Sequence, residues 1–535
     1  MRLEFTGTLA LLRLALRRDR VVIPAWSALY LAYTVGGTAA AVALYPDAAS
    51  RLEAAGAVNN MPALVAMYGR VWDPTSLGSV AMMKPIGFGG VFAAVFAILL
   101  VIRHTRADEE SGRLELLAAQ PLGRLAPAAS ALLLVAALMS VFAVINGLGV
   151  TAAGLPTEGA WAFALSVSLT GLHFGAIALF YVQITQSART ANVLALCELA
   201  FAFILRGSAD AAGDASATAW WGWLSPLGWQ AQVRAFAGDT LTPLLLFIGS
   251  LLIVVPWALH LARTRDHDAG LLPQRDGRAA ATPRLRSVFA LALRLQRGLL
   301  IGLVVSYAFM SLLLGSIVSN IGAMLDSPGM QEFVRKLGGP GSLVDSFTSF
   351  ELAFAGIMTA VCGITMARRL GVEEQAGRIE PLLGTAVSRS RVLGAFAGVT
   401  LLGTTLLQIV LGLGFGIANG AQLQDYSGLP ATLGAAAVYL PAVWVITGIA
   451  YLLLALAPGW TNAGWLLIGF VILIDEFGPM FSWPSAVLNL SPFQHVPHLP
   501  AASMSWPPTL ALLGVSVLLG LASAHHYRRR DISNA

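Results

Sequence analysis

Two short stretches hold the residue types of this chain that can do polar chemistry at a defined spacing. The first is Asp108-Glu109-Glu110-Ser111-Gly112-Arg113-Leu114-Glu115-Leu116-Leu117, running on to Pro121 and Arg124. The second is Glu373-Glu374-Gln375-Ala376-Gly377-Arg378-Ile379-Glu380-Pro381-Leu382, running on to Arg389. They align without a gap at an offset of 374 − 109 = 265 residues, so that Glu109, Gly112, Arg113, Glu115, Leu117 and Arg124 recur as Glu374, Gly377, Arg378, Glu380, Leu382 and Arg389. On a helix, Glu109/Arg113 and Glu374/Arg378 form acid-to-base pairs at i,i+4, which favour a short exposed helix. Leu114, Leu117 and Ala118 share one helical face, as do Ile379, Leu382 and Leu383, giving each copy an apolar stripe under a charged shoulder. Such a helix lies on a bilayer or docks into a protein groove. Alone, either run reads as a solvated loop. Its recurrence marks an internal repeat with the same polar element built into each half.

The elements that must position these segments are membrane spans. The chain is 57% hydrophobic and 11% charged, against roughly 25% charged for an ordinary soluble domain. Apolar runs long enough to cross about 30 Å of hydrocarbon recur along its whole length. The expected fold is an all-α polytopic membrane protein of about twelve transmembrane helices, arranged as two six-helix repeats. Spans are predicted over 21–45, 83–102, 127–152, 160–184, 190–206 and 241–262, and then over 299–324, 348–367, 391–418, 431–457, 462–481 and 508–527. The predicted halves are 1–262 and 284–535, with a linker over 263–283 in a stretch holding eight arginines from Arg263 to Arg297. Before each first span lies an expected interfacial helix, because Leu14-Ala15-Leu16-Arg17 is echoed by Leu291-Ala292-Leu293-Arg294. No cleavable signal peptide precedes the first span.

Arginine placement orients the chain. With the N-terminus in the cytoplasm, all the lysines and arginines except Arg51, Arg70, Lys84, Arg206, Arg234, Arg335 and Lys336 fall on the cytoplasmic side, the positive-inside bias. That explains the net charge of +5 without a nucleic-acid partner. Six spans per half make the repeats parallel, with both termini cytoplasmic in a multi-pass plasma-membrane protein. The charged segments follow the second span of each half on that side.

With those elements in place, residues 109–124 resemble the coupling helix of ABC-2-type transporter permeases, a cytosolic segment of the form E-x-G-x-x-E-x-L-L-x-x-P-x-x-R. The matching residues are Glu110, Gly112, Glu115, Leu116, Leu117, Pro121 and Arg124. Residues 374–389 match less well, with Gln375 replacing the acid and Ala386 the proline. In architecture the resemblance covers the whole chain, and the duplicated single-chain form is similar to actinobacterial exporters of polyketide antibiotics and other drugs. It implies an ATP-driven exporter of hydrophobic or amphipathic small molecules, in which Glu109, Glu110, Gly112, Arg113, Glu115, Glu374, Gly377, Arg378 and Glu380 couple to two copies of a separate ATPase. It also sets spans two and five of each half along the central path. ATP and Mg²⁺ belong to the partner. A P-loop needs Gly-Lys-Ser/Thr, whereas the two lysines here, Lys84 and Lys336, follow Met83 and Arg335. The chain itself is expected to be a permease with no cofactor and no enzymatic site.

Other residues are candidates by position. Phe88, Phe92 and Phe96 form a stripe at i,i+4 on the second span, with Phe350 and Phe354 on the eighth. Together with Glu198, Phe201, Glu351 and Phe470, the residues Phe88, Phe92, Phe350 and Phe354 make up the expected substrate path. Ionisable groups inside spans are costly unless paired or hydrated. Registering Asn192 on Asn462 sets Arg206 opposite Glu476, so Arg206, Asp475 and Glu476 are expected to form an ion pair between the halves. Cys197 and Cys362 sit singly in apolar runs as buried hydrophobes. Pro492, Pro497 and Pro500 break the helix on which His495 and His498 would converge, so no metal site is expected. Two rival readings stand beside the first. A proton-coupled exporter of major-facilitator type also has 6+6 repeats and acid-x-x-Gly-Arg loop motifs, although its loops are shorter than the connections here. A non-transporting membrane scaffold is the third reading, and the polar groups inside the spans disfavour it.

Overall fold

A computed structural model describes residues 2–118, 121–213, 216–266, 270–271, 285–318, 343–457, 463–477 and 483–530. All its regular structure is helical, with no strand among the described residues. Eleven helices there are long and apolar enough to cross a membrane. The predicted eleventh span is represented by the shorter apolar helix Ala463–Ile472 and a π-helical turn, Leu473–Phe477; its predicted ends, 462 and 478–481, lie outside the described residues. The chain divides into two compact units, Met1–Gly277 and Arg278–Ala535.

In the first unit, α1 (Thr8–Arg18) precedes the spans α2 (Val22–Leu44) and α3 (Met83–Arg103). The charged segment follows as Arg106–Glu110 and then α4 (Arg113–Ala118). Four spans complete the unit: α5 (Ala126–Ala152), α6 (Thr157–Ile184), α7 (Ala188–Ala212) and α8 (Leu244–Thr264). Apolar burial drives no helix together inside lipid, so close packing of small residues does so instead. A Cβ at Gly171 on α6 would sit 3.2 Å from that of Ala93 on α3 and 2.4 Å from Met139 Sδ; one at Gly175 would meet Ala97 at 3.5 Å. Spacing by four on both helices makes this one seam. Aromatic stacking fixes α2 beside it, with Trp26 on Phe96 at 5.3 Å and Tyr30 on Phe142 at 4.6 Å. Phe96 is therefore a core residue, in line with Phe88 and Phe92 on the helix but packed on Trp26 and Phe142.

In the second unit, α9 (Val288–Val318) leads to α10 (Leu343–Gln375), the short α11 (Glu380–Leu383) and α12 (Arg389–Leu423). After these come α13 (Leu440–Leu456), the Ala463–Ile472 helix and α14 (Trp506–Arg529). Here one expectation fails. The second interfacial helix does not exist as a separate element, because α9 runs unbroken for 31 residues. The reason is local. In the first unit the chain leaves α1 at Asp19, which is fully buried between Arg103 at 2.8 Å and His104 at 2.8 Å. Its counterpart in the Leu-Ala-Leu-Arg echo is Gln296, buried but uncharged, so no ion pair holds the chain in a turn.

Candidate functional site

Each charged segment is built around a glycine. Gly112 and Gly377 both have φ +68, a left-handed backbone at which glycine pays no Cβ penalty. The break parts Glu109 from Arg113 and Glu374 from Arg378, so neither predicted i,i+4 pair forms. Arg113 bonds Asp108 at 3.3 Å instead, and Arg378 bonds Glu373 at 2.5 Å. Glu373 raises the Arg378 pKa through that hydrogen bond. Asp108 also takes Arg18 of α1 at 2.6 Å, and Glu373 takes Arg369 at 2.5 Å.

The freed carboxylates turn inward. Glu109 accepts from Arg106 at 2.6 Å and from Arg265 at 2.7 and 2.9 Å. Glu374 accepts from Arg530 at 2.5 Å and from the Tyr527 hydroxyl. Arg124 donates to the Arg265 carbonyl at 2.5 Å, and Arg389 donates to the Arg530 carbonyl. Since 530 − 265 = 265, the Glu109–Arg265 and Arg124–Arg265 pairings recur as Glu374–Arg530 and Arg389–Arg530 at the offset of the sequence repeat. Arg265 and Arg530 are also equivalent in place: each is the residue just past the last span of its unit, after α8 and after α14. The halves differ in what completes the cluster. Arg106 is replaced by Gly371, and Ala262 by Tyr527, so two guanidiniums hold Glu109, while one guanidinium and a phenol hold Glu374.

Glu110 plays a third part. It accepts the Ala188 backbone N–H at 2.8 Å, capping the first turn of α7. What the segment leaves outward is Arg113, Glu115 and Leu116, the last 80% exposed. In the second copy Gln375, Arg378, Glu380 and Pro381 are exposed. Between α1, the segment and the foot of α5 lies a cavity of about 240 Å³, lined by Leu11, Leu14, Arg18, Asp108, Leu114 and Leu117 among others.

The expected path residues are partly brought together. Phe88 and Phe92 join an aromatic ladder in the first unit: Tyr33 edge-on to Phe92 at 5.2 Å, Phe92 to Phe88 at 6.3 Å, and Phe88 to Tyr68 at 5.9 Å and to Phe203 of α7 at 5.8 Å. Phe201, two residues from Phe203, is 60% exposed on another face. Glu198 is half-buried and accepts from Tyr181 at 2.7 Å. In the second unit Phe350 and Glu351 are half-buried, and Phe354 and Phe470 are exposed. Arg206 and Asp475 each find partners inside their own unit. Arg206 donates to the Ala66 and Met67 carbonyls at 2.9 Å and lies 3.8 Å from Asp210. Asp475 accepts from Ser491 and from Gln494 at 2.7 Å. The side chain of Glu476 lies outside the described residues.

Sequence reasoning missed Arg106, Arg265, Tyr527 and Arg530, the partners of the two buried glutamates. For Arg265 and Arg530 a signal exists: they keep the motif's offset, although 156 residues separate each from its glutamate.

Residues 285–528 match the protein family described as multidrug efflux system permease Rv1217c, C-terminal domain. Over 532 residues, covering 99% of this chain and 96% of the relative, the sequence is 38% identical to the multidrug efflux system permease protein Rv1217c of Mycobacterium tuberculosis. A match of that depth, running from the first unit through the second, places the chain in a family: it belongs to the multidrug efflux system permeases of the Rv1217c type.

Proposed function

We propose that this chain is the membrane-spanning half of an ATP-driven ABC exporter that expels hydrophobic or amphipathic small molecules. The observation that carries the reading is the duplicated segment. Each copy exposes a short helix next to a glutamate that is tied to the end of the unit's last span. A partner seated on that helix would therefore pull on the spans through a buried ion pair. The relative's description as a multidrug efflux permease supports the cargo and the direction. With neither lysine in a P-loop context, hydrolysis falls to a separate ATPase, and two segments call for two ATPase copies on one permease chain. In this reading the halves are parallel repeats, both termini are cytoplasmic, and the ladder of Phe88, Phe92 and Phe203 lines the path. Native mass spectrometry of the minimal active complex tests it, with one permease and two ATPases expected. A complex holding two permease chains refutes the stoichiometry. Efflux that survives ATP depletion but stops when the proton gradient collapses would favour the proton-coupled alternative.

A further inference from the structure

The aromatic ladder of the first unit ends on a cation. The Arg206 guanidinium lies 4.7 Å from the centre of the Phe203 ring, a cation–π distance, at the end of the unit away from the charged segments. Beside it are two adjoining cavities that share Arg70, Trp72 and Asp210 as lining residues. The charged residues lining them are Arg70, Arg206 and Arg234, against the single carboxylate Asp210. Arg206 is 2% exposed, and its Nε faces Asp210 Oδ2 at 3.8 Å, too far for a hydrogen bond. Arg70 and Arg234 both stack on Trp72, at 5.5 and 3.8 Å.

The loop that carries Arg234 is strained. Arg234, Phe236 and Asp239 have φ of +50, +66 and +48, left-handed values that are unfavourable for non-glycine residues and persist only where the surroundings impose them. The imposition is visible. Phe236 is buried so tightly that a Cβ on Gly78 or Gly159 would fall 2.3 or 2.2 Å from its ring, and Ser79 donates to its carbonyl at 3.1 Å. Burial of Phe236 thus holds the backbone of the loop from which the Arg234 guanidinium reaches over Trp72.

The geometry points to an oxyanion site, taking the carboxylate of an aromatic organic acid whose ring rests on the ladder. A cavity of about 30 Å³ holds roughly two waters at the ~10–15 Å³ each requires, which matches a carboxylate and excludes an aromatic body. Excess positive charge in a partly buried cleft focuses anions. The inference rests on the efflux reading and narrows it: among lipophilic compounds, those with an acidic head group and an aromatic body bind best at the outer end of the path.

The test is equilibrium binding to the purified chain in phosphatidylcholine nanodiscs, with 2-naphthoate compared with the neutral 2-naphthamide by calorimetry. The acid should bind roughly tenfold tighter or more, as charge-assisted hydrogen bonds exceed neutral ones. Arg70→Gln with Arg234→Gln should abolish that preference and leave amide binding within about twofold. Removing Arg206 leaves two carbonyls unpaired and risks misfolding, so Arg206→Lys, which keeps the charge, serves as a second variant, expected to weaken acid binding only. Equal binding of acid and amide to the parent protein overturns the inference, as does a preference that survives the double change. Loss of acid binding when phosphatidylglycerol is added to the discs would give the site to lipid and also overturn it. Because binding needs neither ATP nor a gradient, a chain that expels neutral drugs but shows no acid preference sinks only this inference. An intact arginine-dependent preference without any efflux sinks only the exporter reading.

Discussion

The unequal partners of Glu109 and Glu374 make opposite demands on the two halves. Replacing Glu109 by Gln removes a carboxylate shared by Arg106, which is fully buried, and Arg265, whose side chain is 11% exposed. Two guanidiniums then remain in a site with little water. Breaking a buried pair from one side costs about 3–5 kcal/mol, or a fall of roughly 6–20 °C in melting temperature at the ~2–4 °C per kcal/mol typical of domains of 150–250 residues. Glu374→Gln strands only Arg530 and should cost visibly less. The arginines reverse the order. After Arg265→Leu, Glu109 keeps Arg106 at 2.6 Å. After Arg530→Leu, Glu374 keeps only the Tyr527 hydroxyl, with no compensating charge. The expected ranking of damage is thus Glu109 above Glu374, but Arg530 above Arg265. Melting of the detergent-purified variants, followed by loss of monodisperse protein on a sizing column, reads all four. Equal losses within each pair would refute the unequal partnering, and a Glu109→Gln protein that melts with the parent would show that its inward ion pairs carry no stability and that the glutamate faces a partner instead.

Other outcomes follow from the same geometry. Gly112→Ala and Gly377→Ala each force a Cβ into a left-handed backbone with open space around it, so each should cost about 1–2 kcal/mol, by matching amounts if the two turns are the same device. Leu116→Glu changes a side chain that is 80% exposed and should move the melting temperature little, about 0.5 kcal/mol or less; loss of ATPase in a pull-down with normal melting supports docking on that helix, and retention at parental levels counts against it. Gly171→Leu drives a side chain into Met139 and Ala93 and should reduce folded yield sharply, by several kcal/mol of overpacking, whereas Gly514→Leu, with nothing within 4 Å of its Cβ, should be accepted.

What the sequence made legible was whatever depends on local composition. Apolar runs and the placement of arginine are summed over many residues, so the span pattern emerged even though the eleventh span is short. The two charged segments stood out against an apolar background. Their internal geometry did not, because it turns on one glycine: read as a continuous helix, Glu109 faces Arg113, but a left-handed residue at 112 sends it inward. One of its partners there, Arg106, is three residues back, but the other, Arg265, lies 156 residues away, and no spacing rule reaches that far. The unbroken α9 was hidden for a related reason, since the break after α1 depends on Asp19 meeting Arg103 and His104 in space. Phe96 shows the limit of periodicity on a helix packed on more than one side. Its i,i+4 place in the stripe is correct, yet a ring at that depth meets Trp26 and Phe142, and neither neighbour is written into the stripe.

In the first unit one short segment holds three elements: Glu109 the end of α8 through Arg265, Glu110 the start of α7 through Ala188, and Asp108 the end of α1 through Arg18. A push on the segment cannot leave the foot of α8 behind without parting Glu109 from the largely buried Arg265 guanidinium, and breaking a pair of that kind is costly. The contacts on the rim are cheaper to lose, since Arg18 on Asp108 is partly exposed and a pair of that kind contributes about 0–1 kcal/mol. Force applied at α4 is therefore expected to move α3, α7 and α8 together, with the end of α1 following α3 through Asp19 even if Arg18 lets go. In the second unit the Arg530 link is present and no Glu110 equivalent exists, because Gln375 stands there. The same push would reach the last span by the same route, with a weaker grip on the chain beside it.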